Sequence, residues 1–166
     1  MRMAYRLMAA ALGTVLPFAA LANECDPVKA AEAAKLKVPH MATVETVRPG
    51  QPATQGETVY IGNRMYTRLN GRPWVKTELS PETAATAADA AFARSQCQKA
   101  GEEDVGGTGT TVYSVRVENP GGSMTRRVWV SNHDGLPLKN EVKLANGMTI
   151  TMSYRYGDIR PPEDAQ

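Results

Sequence analysis

Residues 136–156, LPLKNEVKLANGMTITMSYRY, decide the fold class. Leu136, Leu138, Val142 and Leu144 fall on one parity, interrupted only by Asn140, while Lys139, Glu141 and Lys143 fall on the other. After Asn146-Gly147, the series Met148, Ile150, Met152, Tyr154 and Tyr156 opposes Thr149, Thr151, Ser153 and Arg155. A period of two with one apolar and one polar face is the signature of antiparallel strands with one side buried. Asn-Gly between two such runs is a tight hairpin signal.

The pattern extends toward the N-terminus. Thr110–Glu118 turns at Asn119-Pro120-Gly121-Gly122 into Met124–Ser131, which turns at Asn132-His133-Asp134-Gly135 into the quoted stretch. These four runs form a meander. Earlier, Glu57–Ile61, Arg64–Leu69 and Pro73–Leu79 alternate in the same way around Gly62-Asn63 and Asn70-Gly71. Between the two groups, Ser80-Pro81-Glu82 opens a helix with a cap, a proline at the first position and an acid in the first turn. Its Ala-rich sequence predicts a helix over 81–100, with Gly101 after its end. Asp26-Pro27 opens another over Val28 to Lys37. Residues 39–56, rich in Pro and Gly, read as a linker with room for a short strand at Thr43–Val47. The expectation is an α+β domain: about seven antiparallel strands in a curved half-barrel sheet, covered by an inserted Ala-rich helix and an N-terminal helix. Residues 160–166 have the composition of a flexible tail.

Residues 1–22 read as a cleavable signal peptide. Arg2 and Arg6 precede an apolar run from Leu7 to Ala20, and Ala20-Leu21-Ala22 supplies the small-x-small site. Asn23 and Glu24 before Cys25 argue against a lipid anchor. The expected product begins at Asn23, is periplasmic and soluble, and has no transmembrane segment. Removing 22 of 166 residues leaves 144, with 17 basic against 17 acidic residues. No basic stripe is left for nucleic acid. The organisation expected is thus 1–22 signal, 23–56 N-terminal helix and linker, and 57–159 sheet domain.

Cys25 and Cys97 are the only cysteines, and an even pair in an exported chain implies a disulfide. They lack the C-x-x-C spacing of a redox pair. His40 and His133 make no metal motif. Ser131, His133 and Asp134 sit too close together around one turn to form a triad. Gly106-Gly107-Thr108-Gly109 precedes a strand rather than a helix, so it is no phosphate loop. The sequence presents no catalytic constellation and calls for no cofactor.

The Ala-rich helix presents Ala84, Ala88, Ala91 and Phe92 toward a sheet of larger side chains. Either it packs tightly against that sheet, or the sheet curls away and leaves an apolar cavity. In the second case Leu138, Val142, Met148, Ile150 and Met152 form the floor, with Met65, Leu69 and Tyr154 beside them. Methionine suits such irregular surfaces. On the other face, Trp129 beside Arg127 is either a candidate partner surface or a residue packed under the N-terminal helix.

The element order resembles the periplasmic lipoprotein-carrier and lipid-carrier superfamily of the LolA/LolB type. Val128-Trp129-Val130-Ser131, leading through Asp134-Gly135-Leu136-Pro137-Leu138-Lys139 into Glu141-Val142, carries the resemblance, as does the ending Thr149–Ile159. It covers about residues 57–160. It implies a half-barrel over an apolar cavity and a non-enzymatic carrier of lipid, lipoprotein acyl chains or another apolar ligand. The alternative is an envelope interaction or assembly protein that uses the same fold with a filled core.

Overall fold

A computed structural model describes residues 24–119, 122–163 and 165; the side chains of residues 81, 84, 85, 87, 88, 91 and 119 are outside that description. The expected signal peptide, residues 1–22, lies outside the described residues. The elements are α1 (Cys25–Lys35), β1 (His40–Val47), β2 (Thr54–Ile61), β3 (Arg64–Leu69), β4 (Val75–Glu78), α2 (Pro81–Phe92), β5 (Ser95–Val105), β6 (Thr108–Asn119), β7 (Gly122–Ser131), β8 (Pro137–Leu144) and β9 (Thr149–Tyr156).

The class is α+β, as expected, but nine strands rather than seven form one open, curved antiparallel sheet in the order β4-β3-β2-β1-β9-β8-β7-β6-β5. Two corrections explain the difference. The linker stretch, with room for a short strand at Thr43–Val47, holds the longer β1, an interior strand of the sheet that pairs with both β2 and β9. The helix expected over 81–100 ends at Phe92. Residues from Ser95 onward instead pair with β6 along their whole length, and Gly101 sits at an irregularity in that ladder rather than after a helix. Ladder pairing with a neighbouring strand has overridden a local composition that favours helix. Ser80 does cap α2, its Oγ accepting from Thr83 N at 3.3 Å. At Asn70 and Gly71, φ values of 50° and 70° match the turn that Asn-Gly favours.

Cross-strand partners in an antiparallel ladder share a face. One inner row therefore runs Val128, Asn140, Met152, Val44, Gly56, Leu69. α1 lies over this inner face. Cys25, Val28 and Ala31 of its first turns pack on Phe92, Cys97, Val115, Val117, Val128 and Val130. The Cys25–Cys97 disulfide fastens the start of α1 to edge strand β5, not to the end of a helix. On the outer face, Val59, Tyr66 and Trp74 form a second cluster, against which Ile159 and Ala165 of the C-terminal segment pack.

Candidate functional site

The second half of α1 does not close on the sheet. Beneath it lies a hollow of about 620 Å³. α1 supplies the roof through Lys29, Glu32, Ala33, Lys35 and Leu36, and α2 adds Asp89 and Phe92 at one side. Ala42 and Val44 of β1, Val142 of β8 and Met152 of β9 make an apolar floor, while Met124 and Arg126 of β7 close the far wall. A second hollow of about 390 Å³ adjoins it, sharing Val44 and Thr58 and continuing to Leu69 and Val75.

A charged cluster hangs from the roof. Glu32 lies between Lys35, 2.6 Å from its Oε2, and the Arg126 guanidinium, which bonds Oε1. Burial pushes the Glu32 carboxyl up, but the charges and hydrogen bonds of Arg126 and Lys35 outweigh it and hold it low. Asn140, the polar exception in the apolar row of β8, is 1% exposed. Its Nδ2 donates to Tyr154 Oη at 2.8 Å and lies 3.5 Å from Glu32 Oε1. Arg126 Nε and Asn140 Oδ1 are buried with no partner among the described residues. Buried polar atoms are normally paired, so two orphans on one wall call for an explanation.

Beside this cluster an aromatic group lines the wall. The His40 ring stacks on Tyr60 at 4.6 Å and approaches Tyr154 at 6.1 Å and Tyr156 at 5.9 Å. Its Nδ1 carries the proton, because its partner 2.9 Å away, the Val38 carbonyl, can only accept. Burial holds the imidazole below its ordinary range. Burial likewise pushes the Tyr60 and Tyr156 hydroxyls up, and Tyr156 Oη donates to Pro137 O at 2.6 Å. Lys35 Nζ sits 4.7 Å from the Tyr154 ring centre.

Of the cavity residues expected from sequence, Phe92, Val142, Met152 and Tyr154 line the hollow. Leu69 belongs to the adjoining one. Met65, Leu138, Met148 and Ile150 are half-buried and lie outside the wall. The side chains of Ala84, Ala88 and Ala91 lie outside the described residues. Sequence reasoning missed the roof of α1 and the His40, Ala42 and Val44 floor. The one signal available was Asn140, the polar break in an apolar row.

Trp129 does lie on the outer face, yet it is 2% exposed. Its Nε1 donates to Glu103 Oε2 at 2.7 Å, and the Arg127 guanidinium and Lys139 ammonium lie 4.6 and 4.5 Å from its ring centre. Any contact there meets Arg127, Lys139 and Glu103 first. Around Ser131, the hydroxyl accepts from His133 N at 3.2 Å and Asp134 N at 3.4 Å, which is turn chemistry. No helix among the described residues is long and apolar enough to cross a membrane.

No family model and no curated protein matches the chain. Solved structures do. The chain is similar to the lipoprotein LppX of Mycobacterium tuberculosis, with 11% identity and a TM-score of 0.51 over 81% of this chain and 96% of that one. It is also similar to MucB in the MucA/MucB complex of Pseudomonas aeruginosa, with 18% identity and a TM-score of 0.46 over 84% and 58%. A LolA superfamily protein from Nitrosomonas europaea matches with 10% identity and a TM-score of 0.30 over 76% and 87%. At these identities the likeness is one of fold alone: the chain shares with LppX an open, curved antiparallel sheet with helices on its inner face.

Proposed function

We propose that this chain is an exported periplasmic carrier that shelters a lipid or another apolar ligand between α1 and the inner face of the sheet. The observation that carries the reading is the hollow of about 620 Å³ with an aliphatic floor of Ala42, Val44, Val142 and Met152. Its size falls within the range of ligand pockets, roughly 300–1,000 Å³, and such sites are mostly apolar with a few placed polar groups. Here Glu32, Lys35, Arg126 and Asn140 are those groups. The role is binding rather than catalysis.

Export is part of the same reading: residues 1–22 are removed, and the Cys25–Cys97 bond belongs to an oxidising compartment. Native mass spectrometry of protein purified from its own periplasm tests both. The expected spectrum contains a chain starting at Asn23, two hydrogens lighter than its reduced form, together with a non-covalent adduct of lipid mass. A bare chain that also fails to take up fluorescent acyl probes would sink the carrier reading.

A further inference from the structure

We propose that the roof end of the cavity holds the anionic head group, carboxylate or phosphate, of a single-chain amphiphile, paired with Arg126 and Lys35. The inference rests on the carrier reading and adds the class of ligand to it.

Charge is the first argument. The side chains of Glu32, Lys35 and Arg126 are 14%, 13% and 20% exposed. One carboxylate is shared by two cations, so a positive charge is left over in a place largely withdrawn from water. His40 is neutral there, and the other charged residues of the lining, half-buried Lys29 and exposed Asp89, are of opposite sign and offset each other. An uncompensated charge in such a site is costly, and an anion is what removes the cost.

Unfilled hydrogen bonding is the second. Arg126 Nε has no acceptor and Asn140 Oδ1 no donor among the described residues, and both belong to the same wall. An oxyacid head group accepts from a guanidinium in charge-assisted hydrogen bonds. When protonated or bearing a hydroxyl it also donates. A trimethylammonium head could do neither and would repel both cations.

Shape is the third. From Asn140 the floor runs over Met152, Val44 and Gly56 to Leu69 along one cross-strand row. Strands lie about 4.8 Å apart, so the row from β8 to β3 spans on the order of 19 Å. Gly56 keeps it low, and Leu69 and Val75 at its far end are 51% and 59% exposed. A polar end followed by a long apolar track fits one chain with one head.

The test uses the mature protein and three fluorescent probes of equal chain length that end in a carboxylate, a hydroxyl or a trimethylammonium group. The carboxylate probe should bind about tenfold more tightly than the hydroxyl probe, the effect of one added charge-assisted pairing. Trimethylammonium should bind weakest. Arg126→Gln should abolish the ratio between carboxylate and hydroxyl, and Glu32→Gln, which frees both cations, should enlarge it. Lys35→Gln, a milder change, should reduce it; far-UV circular dichroism establishes that each variant is folded. A phosphate-ended probe then separates the two kinds of anion. Equal binding of all heads, or a ratio that survives both Arg126→Gln and Lys35→Gln, overturns the head-group assignment and leaves the carrier reading standing. If no probe binds at all, the carrier reading falls and takes this inference with it.

Discussion

Glu32 on α1 and Arg126 on β7, separated by 94 positions in the chain, bond to each other across the roof of the cavity. The pair ties the half of α1 that has no apolar core beneath it to the sheet. The first half needs no such tie, because Cys25, Val28 and Ala31 are buried and the disulfide pins its start. The helix is thus held by packing at one end and by charge at the other, with the hollow under the charged end.

That arrangement predicts acid sensitivity. The Glu32 carboxyl is held below its unfolded value of about 4.3, so its contribution is complete above that pH and is lost as pH falls through the lower folded value. His40, held neutral by burial, acts in the same direction at a higher pH. Its contribution is complete above about 6.5 and is lost as the imidazole is forced to protonate below that. Thermal unfolding followed from neutral to acid pH should show two successive losses. Glu32→Gln should flatten the lower one and cost about 1–3 kcal/mol at neutral pH, less than breaking a fully buried pair because the group is partly exposed to water. A Glu32→Gln profile parallel to the wild type would contradict this account.

The disulfide is expected to matter twice. Cys25 and Cys97 are separated by 72 positions, and a cross-link of that span stabilises by about 4 kcal/mol in the chain-entropy picture. The Cys25→Ser/Cys97→Ser variant should therefore melt much lower than the oxidised protein. It should also release a bound acyl probe faster, because α1 is the roof and loses its anchor. Unchanged release from a folded double variant would detach the disulfide from the roof's mobility.

Much of the fold was legible because period two survives wherever one sheet face is buried. That holds for β2, β3 and the run from β6 to β9. β1 was only partly legible: Thr43–Val47 left room for a short strand, but the prolines and glycines around it hid its full length from His40, and its place between β2 and β9 is fixed by long-range pairing. β5 was hidden because Gln96, Gln98, Lys99 and Ala100 continue a helix as readily as a strand. The roof was illegible for a different reason. Glu32 and Lys35 look like solvated charges on a short helix, and only docking on the sheet turns them inward.

Trp129 is expected to be structural in the first instance. Since it is 2% exposed beneath Arg127 and Lys139, Trp129→Ala should cost about 3–5 kcal/mol, the usual range for a deleted buried aromatic. Trp129→Phe keeps one aromatic ring and loses the pyrrole half of the indole with its bond to Glu103, so its melting temperature should fall less than that of Trp129→Ala. A Trp129→Ala protein as stable as the wild type would return the residue to the list of partner anchors.

The sharpest test of the cavity is to fill it. Ala33 lies on the roof and faces the hollow from α1, which favours leucine as a helix residue almost as much as alanine. In a close-packed interior the added atoms of Ala33→Leu would force neighbours apart and cost about 1–3 kcal/mol. Over an open hollow they have room, bury apolar surface against Val44 and Met152, and should leave the melting temperature unchanged or raise it. The same atoms occupy space that an acyl chain needs, so uptake of a fluorescent acyl probe should fall. Stability retained together with uptake lost is a combination that a filled core cannot produce. Calorimetry and probe titration on one protein preparation decide it: destabilisation by Ala33→Leu with unchanged probe binding would mean that the ligand lies elsewhere.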